Sequence, residues 1–144
     1  MSKPVYNHDL YNRKKNKINL NNYFKLMTRV VVNLIDNSYE DIIGNFQKGE
    51  LETALIIAKD TLIKAITAYV YSNHKSIDRG KWAYIKLKSL SFENDEALEI
   101  LNKFNQLYFF SNMNDISEIE KLIEEYIYFI NRIIELAGKK LGGY

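Results

Sequence analysis

Two histidines, His8 and His74, are the side chains whose charge changes nearest neutral pH, and they are the first candidates for proton transfer or metal binding. Neither belongs to a multi-ligand pattern of the zincin type, and both are expected to be ordinary exposed or loop histidines. The chain has no cysteine, which excludes thiolate catalysis, cysteine zinc sites and disulfides. Carboxylates are numerous but fall mainly where a helix would present them to water: Glu118, Glu120, Glu124 and Glu125 lie opposite an isoleucine stripe. Asp60 stands out by its place in the most apolar stretch, with Lys64 four residues on as its expected ion partner. There is no glycine-rich phosphate loop, no Gly-x-Ser-x-Gly elbow and no Gly-Ser followed by paired aspartates. These residues therefore assign no catalytic group, no metal ligand and no cofactor.

The most individual segment is Asp78-Arg79-Gly80-Lys81-Trp82-Ala83-Tyr84. It sets the sole tryptophan beside Arg79 and Lys81 where a loop enters a helix. Free backbone N–H groups and basic side chains together suit an anion there, and Trp82 or Tyr84 can stack on a base. Arg79, Lys81, Trp82 and Tyr84, with Asp60 and Asn73 in support, form the candidate ligand-binding set, for a nucleotide or a nucleic-acid phosphate. The competing expectation is that Trp82 anchors a short helix to the core while Arg79 and Lys81 stay in water.

The elements that must position these residues read as helices throughout. From Glu50 to about Ser72, Leu51, Ala54, Leu55, Ala58, Leu62, Ala65, Ile66 and Tyr69 recur at three- and four-residue steps. An earlier helix is expected to start near Asn21 or Asn22, to carry Phe24, Met27, Val31, Leu34 and Ile35 inward, and to run on to Asn45. Gly49 then marks a short turn, which makes the two helices antiparallel neighbours. Two shorter helices are expected over 81–90 and 95–110. The second is capped by Asn94 and faces Leu98, Leu101, Phe104 and Tyr108 inward. A last helix starts near Asp115 or Ser117, where Ser117 and Glu120 have capping-box spacing, and ends at Gly138. Its expected stripe is Ile119, Ile123, Tyr126, Ile127, Ile130, Ile133, Ile134 and Ala137. No segment alternates polar and apolar residues as a strand would. The fold class is all-α, an antiparallel bundle of four to five helices over 20–138, with a basic segment 1–19 before it and a loose tail 139–144 after it.

At 144 residues and 47% hydrophobic content, one domain can bury its own core. The longest apolar runs, Val30-Val31-Val32 among them, are far short of the roughly 20 residues that span a bilayer, so no membrane association and a cytoplasmic location are expected. The abundance of Lys, Asn, Ile and Tyr is that of an AT-rich coding sequence. A net charge of +2 conceals separate blocks. Lys3, Arg13, Lys14, Lys15, Lys17 and Lys25 face Asp9 alone, and Lys75, Arg79, Lys81, Lys86 and Lys88 face Asp78 alone, whereas 94–125 is strongly acidic. Such blocks favour packing or a partner of opposite charge.

From about Tyr23 to Leu101, somewhat over half of the chain, the sequence resembles the helical C-terminal domain of kanamycin-type nucleotidyltransferases and the HEPN superfamily of nucleotide-binding bundles. The residues that carry the resemblance are Tyr23-Phe24-Lys25-Leu26 opening a helix, Lys48-Gly49-Glu50-Leu51 before Ala54-Leu55, Asn73 ending that helix, and Lys81-Trp82. The resemblance implies an antiparallel bundle that often forms a homodimer and serves a nucleotidyltransferase as its substrate-binding half, here with the catalytic domain on a separate chain. HEPN ribonucleases carry an Arg followed four to six residues later by His on one helix. No Arg precedes His74 at those distances, which counts against RNase activity. The alternatives are a divergent RNase or toxin, or an assembly protein that dimerises through Tyr108, Phe109 and Phe110. Three consecutive aromatics cannot all face one core.

Overall fold

A computed structural model describes residues 20–77, 82–109 and 115–142. They form five helices: α1 (Leu20–Gln47), α2 (Leu51–Ser72), α3 (Ala83–Ser91), α4 (Asp95–Tyr108) and α5 (Ile116–Lys140). Among the described residues there is no strand, so the chain is an all-α bundle.

The hub is α2. It packs along α1 on one side and α5 on another, and also meets α3. Ten of its residues are consequently buried, nearly all the way round from Thr61 to Val70. Four of them are alanines (Ala54, Ala58, Ala65, Ala68), whose small side chains let the neighbouring helices approach. α1 meets α2 through Phe24, Thr28, Val31, Ile35, Ser38 and Ile42, an alternation of three- and four-residue steps like a coiled-coil seam. The two hydroxyls in that seam return to their own helix, Thr28 Oγ1 donating to the Phe24 carbonyl at 2.8 Å and Ser38 Oγ to that of Leu34 at 3.2 Å.

Three residues join α1 to α2. Gly49, with φ +80°, takes the left-handed conformation that ends α1. Its amide donates to the Phe46 carbonyl at 3.1 Å, and that of Glu50 to Asn45 at 2.9 Å. The same pair of bonds ends α2, from His74 to Tyr71 at 2.9 Å and from Lys75 to Val70 at 3.2 Å. There the left-handed residue is His74, φ +60°, a position glycine usually holds. Its ring stacks on Phe24 of α1, centroids 5.3 Å apart. A second three-residue turn, 92–94, joins α3 to α4, and Asn94 Oδ1 caps α4 by accepting from the Ala97 amide at 2.6 Å.

Directions follow from which residues meet. Lys59 and Tyr69 of α2 reach Tyr108 and Glu96 of α4, so those helices run antiparallel. Tyr126 and Lys140 of α5 reach Leu107 and Glu96, so α5 also opposes α4 and shares the direction of α2.

Several expected details are corrected. Leu34 and Leu98 are exposed rather than inward, because α1 buries only the narrow seam against α2 and α4 turns Ala97, Ile100, Leu101, Phe104 and Leu107 to the core. The stripe of α5 is rotated toward Leu122, Phe129 and Leu136, leaving Ile119, Ile127 and Ile134 at its margin. Gly138 does not end α5. It is buried within the helix, which runs to Lys140 and closes on Gly142, φ +79°. The cap of α5 is Asp115, whose Oδ1 accepts from the Ser117 amide at 3.1 Å, rather than a Ser117 capping box. α3 begins at Ala83 and α4 ends at Tyr108.

Candidate functional site

Where α3 begins, Trp82 occupies the N-cap position in extended conformation and, having no side-chain oxygen, makes no cap bond of its own to the first amides of the helix. Its ring stacks on Tyr84, centroids 5.0 Å apart and 19° from parallel, and meets the edge of Phe104 at 6.2 Å. Phe104, fully buried on α4, stacks on Tyr108 at 4.8 Å, and Phe109 stands edge-on to Tyr84, Phe104 and Tyr108. The Tyr84 hydroxyl donates to Asn105 Oδ1 at 3.1 Å, which fixes α3 on α4. From α2, Lys59 Nζ lies 5.7 Å from the Tyr108 ring centroid. Trp82 is 39% exposed and Phe109 60%. The result is an aromatic platform, half in the core and half in solvent, with a cation at its margin.

The candidate residues divide. Trp82 and Tyr84 are together on this platform. Trp82 packs against Phe104 as the anchoring expectation has it, and remains partly exposed. Arg79 and Lys81 lie outside the described residues, as do His8 and Phe110. Asp60 turns toward α1: it pairs with Lys64 at 3.1 Å, and Lys64 Nζ also donates to Ser38 Oγ at 3.2 Å. Asn73 is the C-cap of α2, its Nδ2 donating to the Tyr69 carbonyl at 2.9 Å. Tyr69 faces Glu96 at the start of α4, whereas Trp82 and Tyr84 face its end; eight residues of helix separate these by about 12 Å. Asn73 and Asp60 are therefore not part of the platform. Glu118, Glu120, Glu124 and Glu125 are exposed as expected.

A second polar cluster was not read from the sequence. The Tyr69 hydroxyl donates to Glu96 Oε1 at 2.6 Å, and Lys140 Nζ lies 3.3 Å from that oxygen and over the Tyr69 ring. Burial, and then the bond to the Glu96 carboxylate and its charge, push the Tyr69 hydroxyl well above the ordinary tyrosine range. The available signal was Tyr69 itself, a tyrosine in an otherwise aliphatic stripe whose hydroxyl needs a buried partner. Tyr126, raised chiefly by burial, donates to the Leu107 carbonyl at 3.1 Å. Both tyrosines thus tie α4 to the long helices.

Beside them, a groove of about 340 Å³ runs between α4 and α5 over Ile100, Phe129 and Leu136. Its rim mixes Glu96 and Glu99 with Lys103 and Arg132, and two of these four already have an ion partner, Glu96 with Lys140 and Arg132 with Glu135, so it selects neither sign of ligand. Among the described residues no group of three or more histidines and carboxylates is placed to hold a metal ion. No described helix is long and apolar enough to cross a membrane.

Comparison of the chain with protein-family models, with curated proteins and with solved structures finds no match in any of the three.

Proposed function

We propose that the protein is a helical binding module that holds a nucleotide, or a ligand of similar planar and anionic character, at the junction of α3 and α4. The observation that carries this reading is Trp82: a half-exposed indole stacked on Tyr84 at the start of a helix that its own side chain does not cap. An aromatic platform accepts any base by stacking, and free helix N-terminal amides accept an anion next to it. Lys59 beside Tyr108 supports the same polarity, as does the placement of Arg79 and Lys81 immediately before Trp82 in the sequence. The module contributes binding and not bond-making. It would act in the cytoplasm beside a separate catalytic chain, in the manner of the substrate-binding partner of a nucleotidyltransferase.

The sole tryptophan makes the test direct. Titration with ATP, adenosine and tripolyphosphate, followed by Trp82 emission and by calorimetry, should show ATP binding more tightly than either part. Trp82→Ala should weaken ATP about tenfold, since one base stack is worth on the order of 1–3 kcal/mol. Absence of both heat and emission change at millimolar ATP would overturn the reading.

A further inference from the structure

Leu26, Val30 and Leu34 lie at four-residue steps on the side of α1 turned away from α2, and are 58%, 46% and 48% exposed. Among the described residues no other helix covers them, since α1 packs chiefly on α2 and only lightly on α5. Beside this stripe runs a row of charges that is segregated by sign. Lys25 and Arg29 occupy the first half of α1, and Asp36 and Glu40 the second. At about 100° per residue all four fall on one flank of the stripe.

Within a single copy this arrangement is unfavourable in two ways. Like charges sit four residues apart, Lys25 with Arg29 and Asp36 with Glu40, where opposite charges would stabilise the helix. The cations also lie toward the N-terminal end and the anions toward the C-terminal end, against the helix dipole; α1 has no acidic residue in its first turn and no basic residue in its last. Among the described residues the ion pairs are Lys64–Asp60, Arg132–Glu135 and Lys140–Glu96, and none involves these four.

We propose that this face binds a second copy of the chain, the two α1 helices packing antiparallel about a two-fold axis next to Asn33. In an antiparallel pair the same flank of each helix meets, and residues oppose one another when their numbers add to a constant. One register satisfies both charge pairs: Lys25 opposes Glu40 of the other copy and Arg29 opposes Asp36, since each pair adds to 65. The two-fold repeats them, giving four ion pairs. That register sets Val30 near Leu34 of the other copy and brings the exposed Asn33 side chains together at the axis, where a polar pair fixes register. The antiparallel dipoles then also oppose favourably. The paired stretch, 25–40, is about 22 Å long, so the interface is small and the association belongs to the weak, concentration-dependent class.

The test is sedimentation velocity over a concentration series on the full chain and two charge variants, K25E/R29E and D36K/E40K. All four positions lie outside the buried seam, and helicity and Trp82 emission confirm that each variant folds. The parent should dimerise, and less so in high salt. Each variant alone should associate at least about tenfold more weakly, four attractions having become repulsions. The equimolar mixture should recover parental association as a heterodimer, because every opposed pair is then again of opposite sign. A parent that stays monomeric, variants that still dimerise alone, or a mixture that fails to recover would each overturn the proposal. The first outcome also covers occupation of the face by residues 1–19 of the same copy.

Discussion

The bundle contains two helical hairpins, each closed by three residues, and they expose apolar surface of different kinds. In α1–α2 the principal exposed group is aliphatic, Leu26, Val30 and Leu34 in a stripe along α1 bordered by charges segregated by sign. In α3–α4, besides the exposed Ile85, Phe92 and Leu98, an aromatic group gathers at one end around a buried ring and is bordered by a cation. An aliphatic stripe of that shape fits another helix, because only a helix repeats its apolar and charged positions at the same interval. A stacked, half-exposed indole fits a flat ring. On the two proposals above, the hairpins would serve two kinds of partner, and neither need disturb the other.

The largest effect that sharpens this contrast comes from the buried centre of each hairpin. Phe104→Ala should lower unfolding free energy by about 3–5 kcal/mol and shift folded-state Trp82 emission to the red, because it removes the ring on which the platform rests. Ile35→Ala should cost a comparable 2–5 kcal/mol but leave that emission unchanged, since Ile35 lies in the α1–α2 seam. Equal emission changes in the two variants would mean that the hairpins are not separable.

High pH should act next, through the links between the hairpins. Tyr69 from α2 and Tyr126 from α5 both hold α4, and in the folded chain both keep their protons well above the ordinary tyrosine value of about 10. Tyr39 and Tyr71 are raised in the same direction, mainly by burial. The unfolded chain loses these protons first, so this contribution is complete below pH of about 10 and declines as pH rises toward the folded values. Denaturant midpoints should fall steeply above pH of about 10. Tyr126→Phe should cost about 1 kcal/mol at neutral pH and make that fall shallower; an unchanged slope would show that another group controls it.

The turns should respond more modestly and alike. Gly49→Ala meets no atom within 4 Å but must hold φ +80°, a cost of about 1 kcal/mol. Asn94→Ala loses the cap of α4 at a similar cost. Smallest of all, Asp60→Asn should change stability by less than about 0.5 kcal/mol, since its pair with Lys64 is solvent-exposed on the acid side. Chemical denaturation of the three variants side by side would check that ranking.

Periodicity made the helices legible because each long helix buries one continuous stripe, and Gly49, Asn94 and the Asp60–Lys64 pair were legible because their partners are three or four residues away. What could not be read is rotation. Leu34 and Leu98 follow the apolar step as well as their buried neighbours do, and only the number of helices packed against α1 and α4 decides how wide a stripe is covered. Of the site, Trp82 and Tyr84 were singled out from the sequence, but not the stacking of one ring on the other. The contribution of Phe104 and Phe109 was not, because it depends on α4 folding back across α3, and the Tyr69–Glu96–Lys140 cluster joins three helices distant in sequence.

The dependence of every helix but one on α2 sets a hierarchy of motion. Opening α1 exposes a single seam and leaves the other helices in contact, whereas opening α2 dissolves the bundle. Amide exchange should therefore be fastest in α1 among the long helices, and α2 should exchange only by global unfolding. In that light the outermost helix is the one part of the molecule whose persistence a neighbour could double, by closing its free side as α2 closes the other.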